Sequence, residues 1–96
     1  MTKDAKRPIV STVHALKTWP EFYQAVLDGR KKHEIRHTID REFKVGDILL
    51  LREWEPNTSQ FTGRQFSVRV TYITDGASPV LEGAAPNLCI MSVEAQ

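Results

Sequence analysis

The segment Gly29–Arg36 gathers most of the side chains in this chain that could do chemistry. It reads Gly-Arg-Lys-Lys-His-Glu-Ile-Arg, so a single carboxylate, Glu34, stands among five basic or imidazole side chains. Such cations bind phosphates or polarised carbonyl groups, and a carboxylate between them stays ionised and holds a guanidinium in one geometry. We therefore predict that Lys31 and Arg36 bind an anion while Glu34 orients them or accepts a hydrogen bond from a base edge. The alternative is a solvated segment whose lysines complement the negative end of a preceding helix.

The elements on either side must position this segment. Thr18 and Glu21 have the spacing of a capping box, and the apolar spacing that follows predicts a helix over about residues 19–28 that Gly29 ends in a left-handed conformation. The apolar face of that helix is predicted to comprise Trp19, Phe22, Tyr23, Val26 and Leu27. Residues 32–37 then read as a strand with Glu34 and Arg36 on one face and Ile35 on the other.

Four further segments have the composition of strands, namely residues 9–16, 48–54, 65–75 and 88–93. The turn formers in residues 55–63 predict a long hairpin, and alternation places Tyr72 in phase with Phe66, Val68 and Val70. Residues 75–86 are predicted to form a surface loop. One helix among about five strands, without a repeated strand-helix-strand pattern, predicts a small α+β fold built on a β-barrel rather than a doubly wound sheet.

Length and charge limit the classes of protein to which the chain can belong. Its 96 residues predict a single domain, which we place at residues 9–96 behind a flexible N-terminal arm of residues 1–8. The net charge of +1 excludes the general basic excess of a non-specific DNA binder, so nucleic-acid contacts must come from local clustering. The lone Cys89 is expected to pack as a small hydrophobe. With neither a long apolar stretch nor a signal-like leader, we expect a cytoplasmic protein with no membrane contact.

Further binding residues are predicted on both sides of the cluster. His14 and Lys17 precede the helix and are expected to reach the mouth of the same site. Arg52 is a cation in an otherwise apolar strand and must face solvent, a carboxylate or a ligand. Trp54 offers a ring for base stacking, with core packing as the alternative. No metal site or cofactor is predicted, because His33 and His37 share a strand face without a third ligand nearby.

The pattern formed by Gly29, Lys31, Glu34 and Arg36 resembles the G-x-K-x-x-E-x-R signature of ASCH (activating signal cointegrator homology) domains, which belong to the PUA-like group of small RNA-associated β-barrels. The likeness covers about residues 13–72, including the segments 14–17, 43–47 and 50–53, and points to a bacterial and phage subfamily of undefined function. It implies a PUA-like barrel with a cleft between helix and barrel that holds Lys31 and Glu34, has Arg36 on its wall, and receives RNA or a nucleoside.

Residues and resemblance together predict an RNA- or nucleotide-binding module, with Lys17, Lys31, Glu34 and Arg36 on one concave surface. A hydrolase acting on modified nucleosides or RNA, with Lys31 and Glu34 as catalytic residues, is an alternative, and so is a protein-interaction module. A related branch hydrolyses acylated nucleosides such as 4-acetylcytidine with a threonine where this chain has Glu34. The carboxylate removes that hydroxyl acyl acceptor, so binding is the preferred prediction. The ligand and the oligomeric state stay open.

Overall fold

The structure is a computed structural model, and it describes residues 11–96. The predicted arm of residues 1–8 lies outside the described residues, as do the first two residues of the predicted first strand. The described elements, in chain order, are β1 (Val13–Thr18), α1 (Pro20–Leu27), β2 (His33–His37), β3 (Ile48–Glu55), β4 (Gln60–Asp75) and β5 (Leu88–Ala95). The predicted small α+β fold is confirmed, and within this part of the chain no helix is long and apolar enough to cross a membrane.

The strands of residues 11–96 form a single curled sheet, a half-barrel, in the order β1-β3-β4-β5-β2. The predicted hairpin is present, since β3 and β4 pair antiparallel. β1 pairs parallel with β3, which the sequence did not predict. The chain therefore passes through α1 and β2 before it returns beside β1, and it leaves β1 and β2 as the two edges of the sheet.

The core lies on the concave face of the sheet, against which α1 packs through Tyr23 and Val26. In β3, Leu49 and Leu51 are fully buried, whereas Leu50, between them, points to the other face and is only half-buried. The side chains of the core cluster are Leu16, Tyr23, Val26, Phe43, Leu49, Leu51, Val68, Val70, Cys89, Met91 and Val93. Cys89 packs as the small hydrophobe predicted, and burial together with the charge of Asp75 raises the pKa of its thiol.

The predicted capping box at the start of α1 is wrong. Trp19 occupies the N-cap position without a side-chain hydrogen bond, and the hydroxyl of Thr18 donates instead to the carbonyl of Leu16 at 3.3 Å. The reason is that β1 continues through Thr18, which turns this side chain toward the core. The predicted end of the helix is confirmed, because Gly29 has a φ of +77°.

The prediction that Tyr72 shares a face of the sheet with Phe66, Val68 and Val70 is also wrong. The pairing of β4 with β5 shifts by one residue between Val70 and Tyr72, as a β-bulge does. Val70 is fully buried, whereas Tyr72 is 66% exposed on the opposite face. The strand spans 16 residues and pairs with β3 along its first part and β5 along its second. A strand this long in a curled sheet needs such a local bend, which breaks a simple alternation.

Candidate functional site

A cleft opens where the end of β1 and the start of α1 face the edge strand β2. Its volume is about 520 Å³, within the usual range of small-molecule sites. It is lined by Lys17, Thr18, Trp19, Phe22, Lys31, His33, Glu34, Ile35 and Arg36. The structure thus brings together Lys17, Lys31, Glu34 and Arg36, four of the residues predicted to bind a ligand.

Local backbone geometry positions Lys31, Glu34 and Arg36, which form the charged wall of this cleft. The left-handed Gly29 reverses the chain at the end of α1, and the amides of Arg30 and Lys31 both donate to the carbonyl of Ala25 at 3.0 Å. Lys31 is therefore fixed to the helix end. The alternation of β2 then turns Glu34 inward, where it is 3% exposed, and leaves Ile35 49% exposed on the other side.

Glu34 lies at the centre of a charge cluster in which both carboxylate oxygens are occupied. Its Oε2 accepts a hydrogen bond from Lys31 Nζ at 2.6 Å, and its Oε1 accepts one from Arg36 Nη2 at 3.1 Å. Lys31 Nζ also donates to the carbonyl of His33 at 2.5 Å. Two cations thus share one buried carboxylate, which leaves this wall with a net positive charge.

Arg36 links the two edges of the half-barrel. From β2 its Nη1 donates to the carbonyl of Lys17 at 3.2 Å, and its Nη2 lies 3.5 Å from the hydroxyl of Thr18, both on β1. The side chain is 25% exposed, so the guanidinium is partly open to the cleft. Since β1 and β2 are the outermost strands of the sheet, this one side chain links the two edges beside the cleft.

Trp19 and Phe22 form an aromatic wall that the sequence interpretation missed. The sequence predicts both on the apolar face of the helix, but each is 47% exposed and lines the cleft. In α1 only Tyr23 and Val26 are buried, because a helix of eight residues covers only a narrow stripe of core. The predicted apolar face of five residues is wider than that stripe. This excess width was the signal in the sequence that some of the five side chains stay exposed.

His14 does not reach the cleft mouth, contrary to the prediction. It is 7% exposed, its ring lies 4.6 Å from that of Phe43, and its Nε2 is 2.8 Å from Asp47 Oδ2. Alternation along β1 explains this, because His14 points into the core and Lys17, three residues on, points the other way. Burial opposes ionisation of Asp47, but hydrogen bonds from His14 and from the amides of Lys44 and Thr12 outweigh it and hold the Asp47 pKa below its ordinary value.

Arg52 and Trp54, predicted as part of the same site, lie outside the cleft. Both point to the convex side of β3, away from the buried residues Leu51 and Glu53. Lys17 connects the two regions, because it lines the cleft and its Nζ lies 4.1 Å from the centre of the Trp54 ring. Across residues 11–96, no three His, Cys, Asp or Glu side chains converge in a way that could hold a metal ion.

Two comparisons relate the chain to known proteins. A family model described as "Domain of unknown function (DUF3850)" matches residues 13–93, a span that contains every residue of the cleft. The uncharacterized 12.9 kDa protein in GpA 3'region of Escherichia phage P2 is 36% identical over 67 residues. That match covers 70% of this chain but 59% of the phage protein, so the chain spans less than two thirds of its relative's length.

Proposed function

The chain belongs to the DUF3850 family, and from the geometry of its cleft we propose that it is an RNA- or nucleotide-binding module of the ASCH type. The observation that carries this proposal is the composition of the cleft, whose lining combines the cations Lys17, Lys31 and Arg36 with the half-exposed rings of Trp19 and Phe22. A nucleotide has the matching pair of groups, an anionic phosphate and a flat base. The half-barrel is compatible with a PUA-like fold, which supports the resemblance of the motif.

The charged wall retains donors for a phosphate. An ammonium has three N–H groups, and the contacts of Lys31 to Glu34 and to the carbonyl of His33 use two of them. A guanidinium has five, and the contacts of Arg36 use four. Each cation therefore keeps about one N–H for a ligand while its position is already set. A site ordered before binding loses less free energy when the ligand arrives.

The aromatic wall suits a base. Stacking on a ring contributes about 1–3 kcal/mol per base and tolerates any base, because every base has a π face. Trp19 at the start of α1 and Phe22 one turn later present their rings on the same side of the helix. We therefore expect affinity for nucleotides and unpaired RNA with little sequence preference.

The contacts of Glu34 favour binding over the hydrolase alternative. A general base must reach the proton that it removes, but both oxygens of Glu34 already accept hydrogen bonds and the side chain is 3% exposed. Glu34 is better suited to orient Lys31 and Arg36. The protein-interaction alternative has no separate observation in its favour.

The proposal is tested first by ligand-induced melting shifts with nucleosides, nucleotides and short single-stranded RNAs. Phe22→Ala should weaken binding by about tenfold, since it removes one stacking surface. Leu27→Ala is the matched control, because Leu27 is an apolar, 36% exposed residue of the same helix that does not line the cleft. The proposal is wrong if no nucleotide or RNA raises the melting temperature, or if both variants bind equally well.

The phosphate contact has its own test. Lys31→Ala should weaken binding to different RNA sequences about equally and lower the slope of log affinity against log salt by about 0.7–1, because one counterion-releasing contact is lost. Lys32→Ala removes a neighbouring exposed cation that does not line the cleft and should leave the slope unchanged. Equal slopes for both variants and the native protein would place the phosphate elsewhere.

A further inference from the structure

A second group of cations and rings lies on the convex face of β1, β3 and β4. We call it the outer-face ladder, and it consists of Lys17, Arg52, Trp54 and Phe61. Lys17 is the partner of Arg52 across the parallel pair, and Trp54 is the partner of Phe61 across the hairpin. The hairpin register shifts between Arg52 and Trp54, and contacts of Lys17 with Trp54 and of Arg52 with Phe61 bring the two pairs together. Partners in a sheet share one face, and this face is opposite to that of the core residues Leu16 and Leu51.

Within the ladder each cation lies on a ring. Lys17 Nζ is 4.1 Å from the centre of the Trp54 ring, and Arg52 Cζ is 4.0 Å from that of Phe61. Phe61 is 43% exposed, and Trp54 is half-buried. Lys17 is exposed and Arg52 is half-buried, so solvent reaches both of the cations that lie on these rings.

The two cations of the ladder differ from Lys31 and Arg36 in their partners. Lys31 and Arg36 share the carboxylate of Glu34, but neither Lys17 nor Arg52 has a carboxylate within 4.0 Å among the residues the structure describes. Their charges are therefore not neutralised locally. An unpaired cation stacked on an aromatic ring is complementary to an anion that also carries flat groups.

We propose that the outer-face ladder continues the cleft into a track for a single-stranded nucleic acid, in which Lys17 and Arg52 contact phosphates while Phe61 and the Arg52 guanidinium stack with bases. The inference rests on the proposed function and deepens it from a nucleotide site to a site for a polynucleotide. Lys17 joins the two parts, because it both lines the cleft and begins the ladder.

The dimensions of the ladder fit a strand of a few nucleotides. From β1 to β4 the sheet is about 10 Å wide at the usual spacing between strands. Stacked nucleotides rise about 3.4 Å each, so the ladder accommodates about three of them beyond the one in the cleft. An acidic peptide would satisfy the cations but offers no flat groups for the rings. A single-stranded nucleic acid satisfies both.

The experiment compares UMP with an unstructured ten-nucleotide oligouridylate, each titrated against the native protein and three variants. Arg52→Gln and Phe61→Ala remove one cation and one ring of the ladder. Arg69→Gln is the matched control, because Arg69 lies on the same outer face but pairs with Ile48, four residues along β3 from Arg52. Thermal unfolding of every variant shows that it is folded at the temperature of the titration.

We expect the native protein to bind the oligouridylate much more tightly than UMP. Arg52→Gln and Phe61→Ala should each weaken oligouridylate binding by about tenfold, with Arg52→Gln lowering the salt slope by about 0.7, while UMP binding stays within about twofold. Arg69→Gln should change neither affinity.

The ladder inference is overturned if UMP binds as tightly as the oligouridylate, or if Arg52→Gln and Phe61→Ala behave like Arg69→Gln; the cleft proposal survives either result. It is also overturned if a ten-residue oligoglutamate displaces the oligouridylate at equal concentration, since the ladder would then bind any flexible polyanion. If the native protein binds neither UMP nor RNA, the proposed function fails together with the inference.

Discussion

Glu34→Gln provides the sharpest test of how the cleft is held together. The substitution keeps the size and shape of the side chain but removes the negative charge that Lys31 and Arg36 share. The glutamine oxygen can accept from one of the two cations. Its NH₂ group then faces the other cation, where it offers a donor to a donor. One of the two ion pairs is lost outright, and the other is weakened to a hydrogen bond with a neutral acceptor.

The expected loss of stability follows from the burial of the three groups. Removing one partner of a fully buried ion pair costs about 3–5 kcal/mol. Here the side chains of Lys31 and Arg36 retain 17% and 25% exposure, so both cations recover part of their hydration. We therefore expect Glu34→Gln to lower the free energy of unfolding by about 2 kcal/mol. For a domain of this size that corresponds to a fall of about 10 °C in melting temperature.

Urea unfolding followed by circular dichroism measures this change without any ligand. Glu82→Gln is the matched control, since Glu82 is an exposed loop residue and its neutralisation should alter stability by less than about 0.5 kcal/mol. A double-mutant cycle of Glu34→Gln with Lys31→Met should give a coupling energy of about 1 kcal/mol or more, because the two charges are in direct contact.

Two results would refute this reasoning. If Glu34→Gln destabilises the protein no more than Glu82→Gln does, the carboxylate does not anchor the two cations. If the cycle shows coupling near zero, the 2.6 Å contact between Lys31 and Glu34 contributes nothing beyond the separate side chains. In either case the charged wall of the cleft would not be ordered before a ligand binds.

Three further predictions concern other parts of the molecule. Asp47→Asn should lower the free energy of unfolding by about 3 kcal/mol at pH 7. Because the folded-state pKa of Asp47 lies below its unfolded value of about 3.9, the difference in unfolding free energy between native protein and variant should narrow as pH falls below about 4. A difference that widens there would refute this prediction. Gly29→Ala should cost about 1 kcal/mol in thermal unfolding, since φ is +77° although open space surrounds the position, and an unchanged melting temperature would contradict this. The native protein should not hydrolyse 4-acetylcytidine in a chromatographic assay. If it turns over many times, and Glu34→Gln abolishes this turnover without loss of affinity, then Glu34 is a catalytic base and the prediction is wrong.

Interactions between near neighbours in the chain were readable from the sequence. Gly29 ends the helix because only glycine enters the left-handed region without a steric penalty, and this depends on no distant contact. Glu34 and Arg36 share a face because every strand alternates its side chains with a period of two. The strands, the hairpin and the overall α+β class follow from the same short-range periodicities.

The tertiary structure decided which side chains of each strand enter the core and which side chains line the cleft. Alternation along β1 separates His14 from Lys17 whatever the fold, but the parallel pairing with β3 and the direction in which the sheet curls determine which of them enters the core. The same curl brings the start of α1 against β2 and so exposes Trp19 and Phe22 to the cleft instead of burying them.

The bulge in β4 also depends on the tertiary structure, because it lies where the strand passes from its pairing with β3 to its pairing with β5. It places Tyr72 on the face opposite to the predicted one. The sequence by itself therefore determined the elements, the helix stop and the charged motif around Glu34, since each is specified by residues a few positions apart. Only the tertiary structure placed the aromatic wall and that motif in one cleft and put Arg52 and Trp54 on the convex face, because those positions depend on how distant strands pair and on the side toward which their sheet curls.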